Sequence, residues 1–435
     1  MSNGLFLMAN VRPFFRGHVM EKYSAFSLLK NALTGHKHWP KSWRNAELKS
    51  AYDVVIIGGG GHGLATAYNL AKNHGITNVA VLEKGWIGGG NTGRNTAVSR
   101  SNYFYPESTR FYEHSLKLYE QMNDELNYNV MFSQVGIINL ALDRHEMDIF
   151  RRWSTSIQLQ GVDSELLTPE QIAEEVSILN MSAKTRYKIH GGFIQRRGGV
   201  SRHDAVAWAY ARAADNLGVD IIQNCEVTGF DIVDDGIRGV NTSLGKIRTD
   251  KVGMTVAGHS SVVAAMAGID LPIISMCLQA MVSEPVKPCL NRIVMSPKVG
   301  FYLSQSDRGE MVIGGGADSY TSYGQRGNLP TTESILGAVT ELFPTLSRMK
   351  LMRQWGGIVD IAPDASPIVS KTPVTGFYIS TGWGTGGYKA IPAGGDTLAY
   401  TIANDKPHPL VEPFSLDRFA KGRLVDEGAA AGVAH

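Results

Sequence analysis

The pattern of apolar and polar positions changes sharply at residue 52. From there YDVVIIGGGGHGLATAYNLAKNHGITNVAVLEK reads as an apolar run, a glycine cluster, a stretch with helical spacing of apolar residues, and a second apolar run. Short uninterrupted apolar runs bounded by glycine are strands buried on both faces, so the segment predicts a βαβ unit. A second helix is expected over 203–217, opened by GGVSRHDAVAW, with Ser201 read as its N-cap and Asp204 placed where the helix dipole favours an acid. His203 suits neither task and stands out as an exposed imidazole at a helix start. Beyond it, VDIIQNCEVTGFDIVDDGIRGVNT alternates apolar and polar residues between Gly and Asp turns; with VGMTVAG it predicts a β-meander returning to the sheet of the βαβ unit. Mixed segments at about 101–195 and 275–352 interrupt this material. The expectation is an α/β nucleotide-binding domain assembled from 51–100, 196–274 and 353–410, and a substrate domain from 101–195 and 275–352, followed by a tail at 411–435.

Residues 1–50 have little periodicity and read as an arm. Its Phe14, Phe15, Trp39 and Trp43 are too apolar for a solvated tail and point to docking on this fold or on a partner. Composition narrows the function classes. With 435 residues, 43% hydrophobic and 19% charged, the chain is an ordinary globular protein, and a net charge of +2 with scattered basic residues excludes an electrostatic footprint for nucleic acid or anionic membrane. Cys225, Cys277 and Cys289 lack the spacing of a disulfide framework or a zinc site, which fits a reducing compartment. GLFLMAN is too short for a signal peptide and no later stretch is long enough to span a bilayer, so a cytoplasmic location is expected.

GGGGHG sets Gly58, Gly60 and Gly63 at the G-x-G-x-x-G spacing, with Gly61 inside the same turn. The context after a strand and before a helix is the one dinucleotide binding needs: the backbone approaches a pyrophosphate at the positive helix end, and the last glycine lets helix and strand close up. Glu83, twenty positions after Gly63, ends the next strand where a carboxylate accepts from ribose hydroxyls. NAD and FAD both use this fingerprint. FAD is favoured by TVAGHSS, similar to the strand closing over the flavin in two-domain flavoproteins. YISTGWGTGGYKAIPAGG is similar to their flavin-contacting loop, in which Gly384, Gly386 and Gly387 admit close backbone approach. The domain is therefore expected to be FAD-binding, Rossmann-like and of the glutathione-reductase type, with an α+β substrate domain built on an antiparallel sheet.

These segments, with RNTAVSRSNY, RHDAVAWAYARAADNLGVDIIQNCEVTGF and WGGIVDIAPDASPI, resemble the amine-oxidising FAD family of D-amino-acid oxidase, glycine oxidase and monomeric sarcosine oxidase. Within it, the resemblance is closest to the β subunits of heterotetrameric sarcosine oxidases, from about residue 36 to the terminal GAAAGVAH. It implies non-covalent FAD held with help from Lys84, Arg94, Asn95, Thr96 and Val227, and a covalent FMN on His203. Arg100 and Lys389 are the implied substrate-carboxylate groups. The implied reaction is oxidative demethylation of sarcosine to glycine, electrons passing from FAD through FMN to O2 to give H2O2. The implied partners are α, γ and δ subunits, with tetrahydrofolate and NAD bound by the α subunit and the one-carbon unit passed to tetrahydrofolate.

No Ser–His–Asp set and no HExxH pattern competes with this chemistry. Asp234–Asp235 reads as a solvated turn, and Asp360 and Asp364 as shaping the loop before the flavin strand rather than as bases. Arg196 and Arg197 in FIQRRGG are candidates for tuning the FMN or binding a partner. The alternatives are an oxidase or dehydrogenase of another N-methyl or secondary amino acid, and a non-catalytic flavin-binding scaffold, whose signature is a missing cation clamp or anchor.

Overall fold

The computed structural model describes residues 25–35, 37 and 41–425, so Phe14, Phe15, Trp39 and the terminal GAAAGVAH lie outside the described residues. The chain divides into two compact units, Met1–Ser42 and Trp43–His435. In the first, Ala25–Leu33 is helical where an arm without periodicity is expected, because AFSLLKNAL is rich in good helix formers. None of its residues is buried.

The second unit is organised by two large sheets. The first has six strands in the order 368–371, 377–381, 252–254, 54–57, 79–82, 220–222. Its pairs are parallel except at the edge, where Ile368–Lys371 runs antiparallel to Phe377–Thr381. The βαβ unit is realised as the strand Val54–Ile57, the helix Gly61–His74 and the strand Val79–Leu82, with both strands buried throughout. One core fills the space between this sheet and the helices Gly61–His74, Pro106–Glu125, His203–Asn216 and Ile391–Asn404. Trp43 packs on that core, and Arg44 and Lys49 pair with Asp215 and Asp220, so the stretch 43–50 belongs to the folded body.

The meander does not return directly to this sheet. Residues 227–248 form a three-stranded antiparallel sheet of their own, with Asp234 and Asp235 in its left-handed turn, and only Val252–Met254 rejoins the parallel sheet. Alternating burial explains the difference. Strands with one solvated face cannot sit inside a sheet buried on both faces; instead Ile237, Val240 and Ile247 pack against the face of the parallel sheet opposite the helices.

The second large sheet has eight strands in the order 351–361, 274–285, 310–317, 301–305, 293–296, 137–141, 191–195, 165–167. All its pairs are antiparallel except Ile293–Ser296 with Ile137–Ala141. The strand Leu351–Ile361 runs along Ile274–Pro285 over its whole length, so it is shared across the expected boundary at 353. Arg196 and Arg197 leave the strand Gly191–Gln195 into ion pairs within the chain. Arg196 bonds both oxygens of Glu165 and reaches Glu175, while Arg197 grips Glu120 and Glu113. These pairs tie the end of one strand to neighbouring elements.

Candidate active site

The C-terminal ends of the parallel strands open onto a cavity of about 630 Å³, closed on its far side by the eight-stranded sheet. The dinucleotide turn forms its floor. Gly58 has φ +107°, and a Cβ there would meet the carbonyl of Thr255 at 2.6 Å. At Gly63 a Cβ would lie 1.9 Å from the carbonyl oxygen of Gly58, so the helix enters this close only with glycine. Gly58, Gly60 and Gly61 line the cavity, whereas Gly63 works behind it as a packing glycine.

Glu83 lies beside the turn with both oxygens engaged: Gly59 N–H donates to Oε2 at 2.8 Å and Gly85 N–H to Oε1 at 2.8 Å. It clamps the glycine turn to the loop after the second strand. Lys84, Arg94, Asn95, Thr96 and Val227 all line the cavity. Arg94 turns its guanidinium back on the carbonyls of Gly89 and Gly90. Asn95 Oδ1 accepts from Ala97 N–H at 2.8 Å, and Thr96 donates to the Tyr302 hydroxyl at 3.1 Å. The loop carrying these residues is fastened to the strand Leu351–Ile361, with Asn91 bonding both backbone groups of Ile358 and Trp355 Nε1–H donating to the Arg94 carbonyl at 2.7 Å.

Two cations stand at the inner end. Arg100 is 4% exposed and Lys389 7%, and both line the cavity although they are far apart in sequence. Arg100 Nη1 donates to Asn102 Oδ1 at 2.8 Å, and its guanidinium lies 4.5 Å from the centre of the Tyr103 ring. Lys389 Nζ donates to the Thr385 carbonyl at 2.9 Å. Among the described residues neither pairs with a carboxylate. Burial, reinforced by the Arg100 charge, drives the Lys389 ammonium well below the usual lysine range. Buried basic groups without an acid partner among the described residues are open to an anion from outside.

The flavin-loop glycines divide in the same way as the turn glycines: Gly384 and Gly387 line the cavity, and Gly386 packs against the Tyr112 hydroxyl. Behind them the helix Ile391–Asn404 begins with Pro392 in its first turn. His62, which the motif reading passed over, joins the two glycine segments. Its Nε2–H donates to the Gly387 carbonyl at 2.8 Å and its ring lies 4.7 Å from that of Trp383. Burial lowers its pKa to about 4, so the ring is neutral near pH 7. The signal available in the sequence is a polar residue standing among five glycines.

His203 opens the helix His203–Asn216, as expected, but the N-cap is Arg202. Ser201 is drawn instead into a 2.7 Å hydrogen bond with the Tyr388 hydroxyl, a tertiary partner that outcompetes the local cap. The imidazole is half-buried rather than exposed, its Nδ1 is enclosed without a hydrogen-bond partner among the described residues, and burial lowers its pKa. It does not line the cavity. Its helix packs against the turn Thr92–Arg94 that forms part of the cavity wall.

Residues 53–401 match the DAO family, FAD dependent oxidoreductases. The chain is 51% identical to a sarcosine oxidase subunit beta of Rhodobacter capsulatus, across 96% of this chain and 100% of that protein. It is 53% identical to one of an Arthrobacter species, across 90% and 97%. A solved L-proline dehydrogenase from P. horikoshii superposes with a TM-score of 0.81 at 29% identity, across 87% of this chain and 100% of the other. The paired sheets, the glycine turn open to a dinucleotide and these likenesses agree: the chain belongs to the DAO family of FAD dependent oxidoreductases and, within it, to the sarcosine oxidase β subunits.

Proposed function

We propose that the chain oxidises sarcosine, and that Arg100 and Lys389 receive the substrate carboxylate. The observation carrying this reading is the pair of buried cations without a protein acid, set in the same cavity as the dinucleotide turn. Bound FAD supplies the acceptor for a hydride equivalent from the N-methyl carbon. The planar guanidinium of Arg100 takes both carboxylate oxygens and so sets the direction in which the amine end points. Ile293, Met295 and Tyr302 from the eight-stranded sheet supply an apolar wall that keeps water from that end.

Arg100→Ala removes a charge-assisted contact of about 1.5–3 kcal/mol, so the sarcosine concentration needed to half-bleach the FAD without oxygen rises about tenfold or more while FAD stays bound. An unchanged half-saturation removes Arg100 from the site. Measuring the same bleaching with proline and with N,N-dimethylglycine separates sarcosine oxidation from the reading of another secondary or N-methyl amino acid. No bleaching by any of them supports the scaffold reading.

The reading extends to a covalent FMN on His203, supported by the enclosed, unpartnered Nδ1 at a helix start outside the FAD cavity. The proposed outlet for the electrons is O2, reached by way of that FMN, with H2O2 as product. Companion α, γ and δ subunits would take the one-carbon unit to tetrahydrofolate, with tetrahydrofolate and NAD bound by the α subunit. Digestion of the native protein is expected to yield a His203 peptide heavier by one FMN, and His203→Asn to lose that mass while retaining FAD. An unmodified His203 peptide from active protein defeats the anchor.

A further inference from the structure

We propose that Asp360 is a neutral carboxylic acid that donates a hydrogen bond from Oδ1 into the flavin cavity, and so acts as a ligand of FAD rather than as a base. Asp360 sits near the end of the strand Leu351–Ile361, is 2% exposed and lines the cavity. Its Oδ2 accepts from the Thr381 hydroxyl and from Gly382 N–H, the latter at 2.6 Å. Both donors come from the end of the strand Phe377–Thr381 and the residue after it, where the flavin loop begins. Oδ1 is left without a partner from any other described residue.

The surroundings decide the charge. Among the described residues no Arg, Lys or His forms an ion pair with Asp360, and hydrogen bonds from Thr381, Gly382 N–H and its own backbone N–H do not repay the burial of an unpaired carboxylate. Burial accordingly raises its pKa from the ordinary aspartate value, against the opposing pull of the Thr381 bond, the Gly382 bond and its own backbone N–H. Gly382 N–H can only donate, so Oδ2 accepts there, and a proton carried on Oδ1 leaves both Oδ2 hydrogen bonds intact. A carboxylic acid kept neutral by an apolar site is a hydrogen-bond donor.

This inference rests on FAD occupying the cavity, and the test keeps the two apart by following FAD in the complex as isolated. Asp360→Asn reproduces the neutral group: its amide oxygen accepts from Thr381 and Gly382, and its NH2 takes the place of the Oδ1 proton. FAD release from D360N is expected within about threefold of wild type, and from D360A about tenfold faster. Thr381→Val loosens the clamp without touching Oδ1 and is expected to release FAD at the wild-type rate. Wild type should also show the infrared carbonyl band of a protonated carboxylic acid that shifts on flavin reduction and is missing from D360N. If D360N loses FAD as fast as D360A, Asp360 is an ionised acceptor and the proposal falls. It falls equally if D360A retains FAD like wild type, or if T381V behaves like D360A, which would leave Asp360 a clamp only. Failure of the FAD reading looks different: the wild-type complex would then release FAD no more slowly when Gly58 and Gly63 are intact than when either is replaced by valine.

Discussion

Lys389 and Arg100 show how a single residue holds function at the expense of stability. A lysine whose folded pKa is lowered binds fewer protons folded than unfolded in the interval between its folded value and the model value of 10.5. Stability of the substrate-free protein therefore rises with pH across that interval, and below it the full cost of the buried charge is present. Lys389→Met removes the cost. Its melting temperature is expected to exceed that of the wild type, most clearly at the acidic end, and the pH slope to flatten, while sarcosine binding weakens. A variant less stable than wild type at every pH would show that the ammonium is compensated in the folded chain.

At the scale of elements, the helix Gly61–His74 and the loop Gly384–Lys389 are joined through His62. Its folded pKa of about 4 lies below the ordinary 6.5 because burial disfavours the imidazolium, with the Gly387 bond opposing; the buried neutral ring therefore contributes fully above pH 6.5, and that contribution is lost as pH falls from 6.5 to 4. The shift corresponds to about 3 kcal/mol at most, before discount for the partly exposed ring. His62→Gln retains an N–H in reach of the Gly387 carbonyl but does not titrate. Denaturant unfolding of the variant should therefore lose less stability than wild type between pH 6.5 and 4; equal losses would place the acid sensitivity elsewhere.

Across the whole molecule, the cavity exists because two sheets of different kinds are fastened together around it. The loop 91–95 is bonded to the strand Leu351–Ile361, and Asp360 on that strand holds the end of the strand Phe377–Thr381. The C-terminal stretch adds a buried lock. Arg418, 2% exposed, donates through Nε and Nη2 to Asp364 at 2.9 and 2.8 Å and through Nη2 to the Ser366 carbonyl at 2.9 Å. Arg418→Met leaves the Asp364 carboxylate buried without its cation and should cost about 3–5 kcal/mol, read as a lower denaturation midpoint. The double variant with Asp364→Asn should recover part of that loss. A single variant of wild-type stability would show the pair to be dispensable.

The glycine turn, the buried strands beside it and the flavin loop were legible from the sequence. Their conformations follow from local requirements: left-handed or uncrowded backbone, apolar runs, and helix starts at defined spacings. Arg100 and Lys389 are named on resemblance, and folding brings both to the cavity wall, buried and without an acid partner among the described residues. Other features depended on partners distant along the chain. Ser201 has the local chemistry of an N-cap, yet it bonds Tyr388; Arg196 and Arg197 resemble free cations, yet they meet acids on other elements. His62 is unremarked in its motif until Gly387 arrives above it, and Asp364 differs from Asp360 in the Arg418 guanidinium and Val425 N–H that reach it. Local backbone preference is written in neighbouring residues. The charge and hydrogen-bonding state of a buried group are set by whatever the fold carries to it, and tertiary structure alone makes that choice.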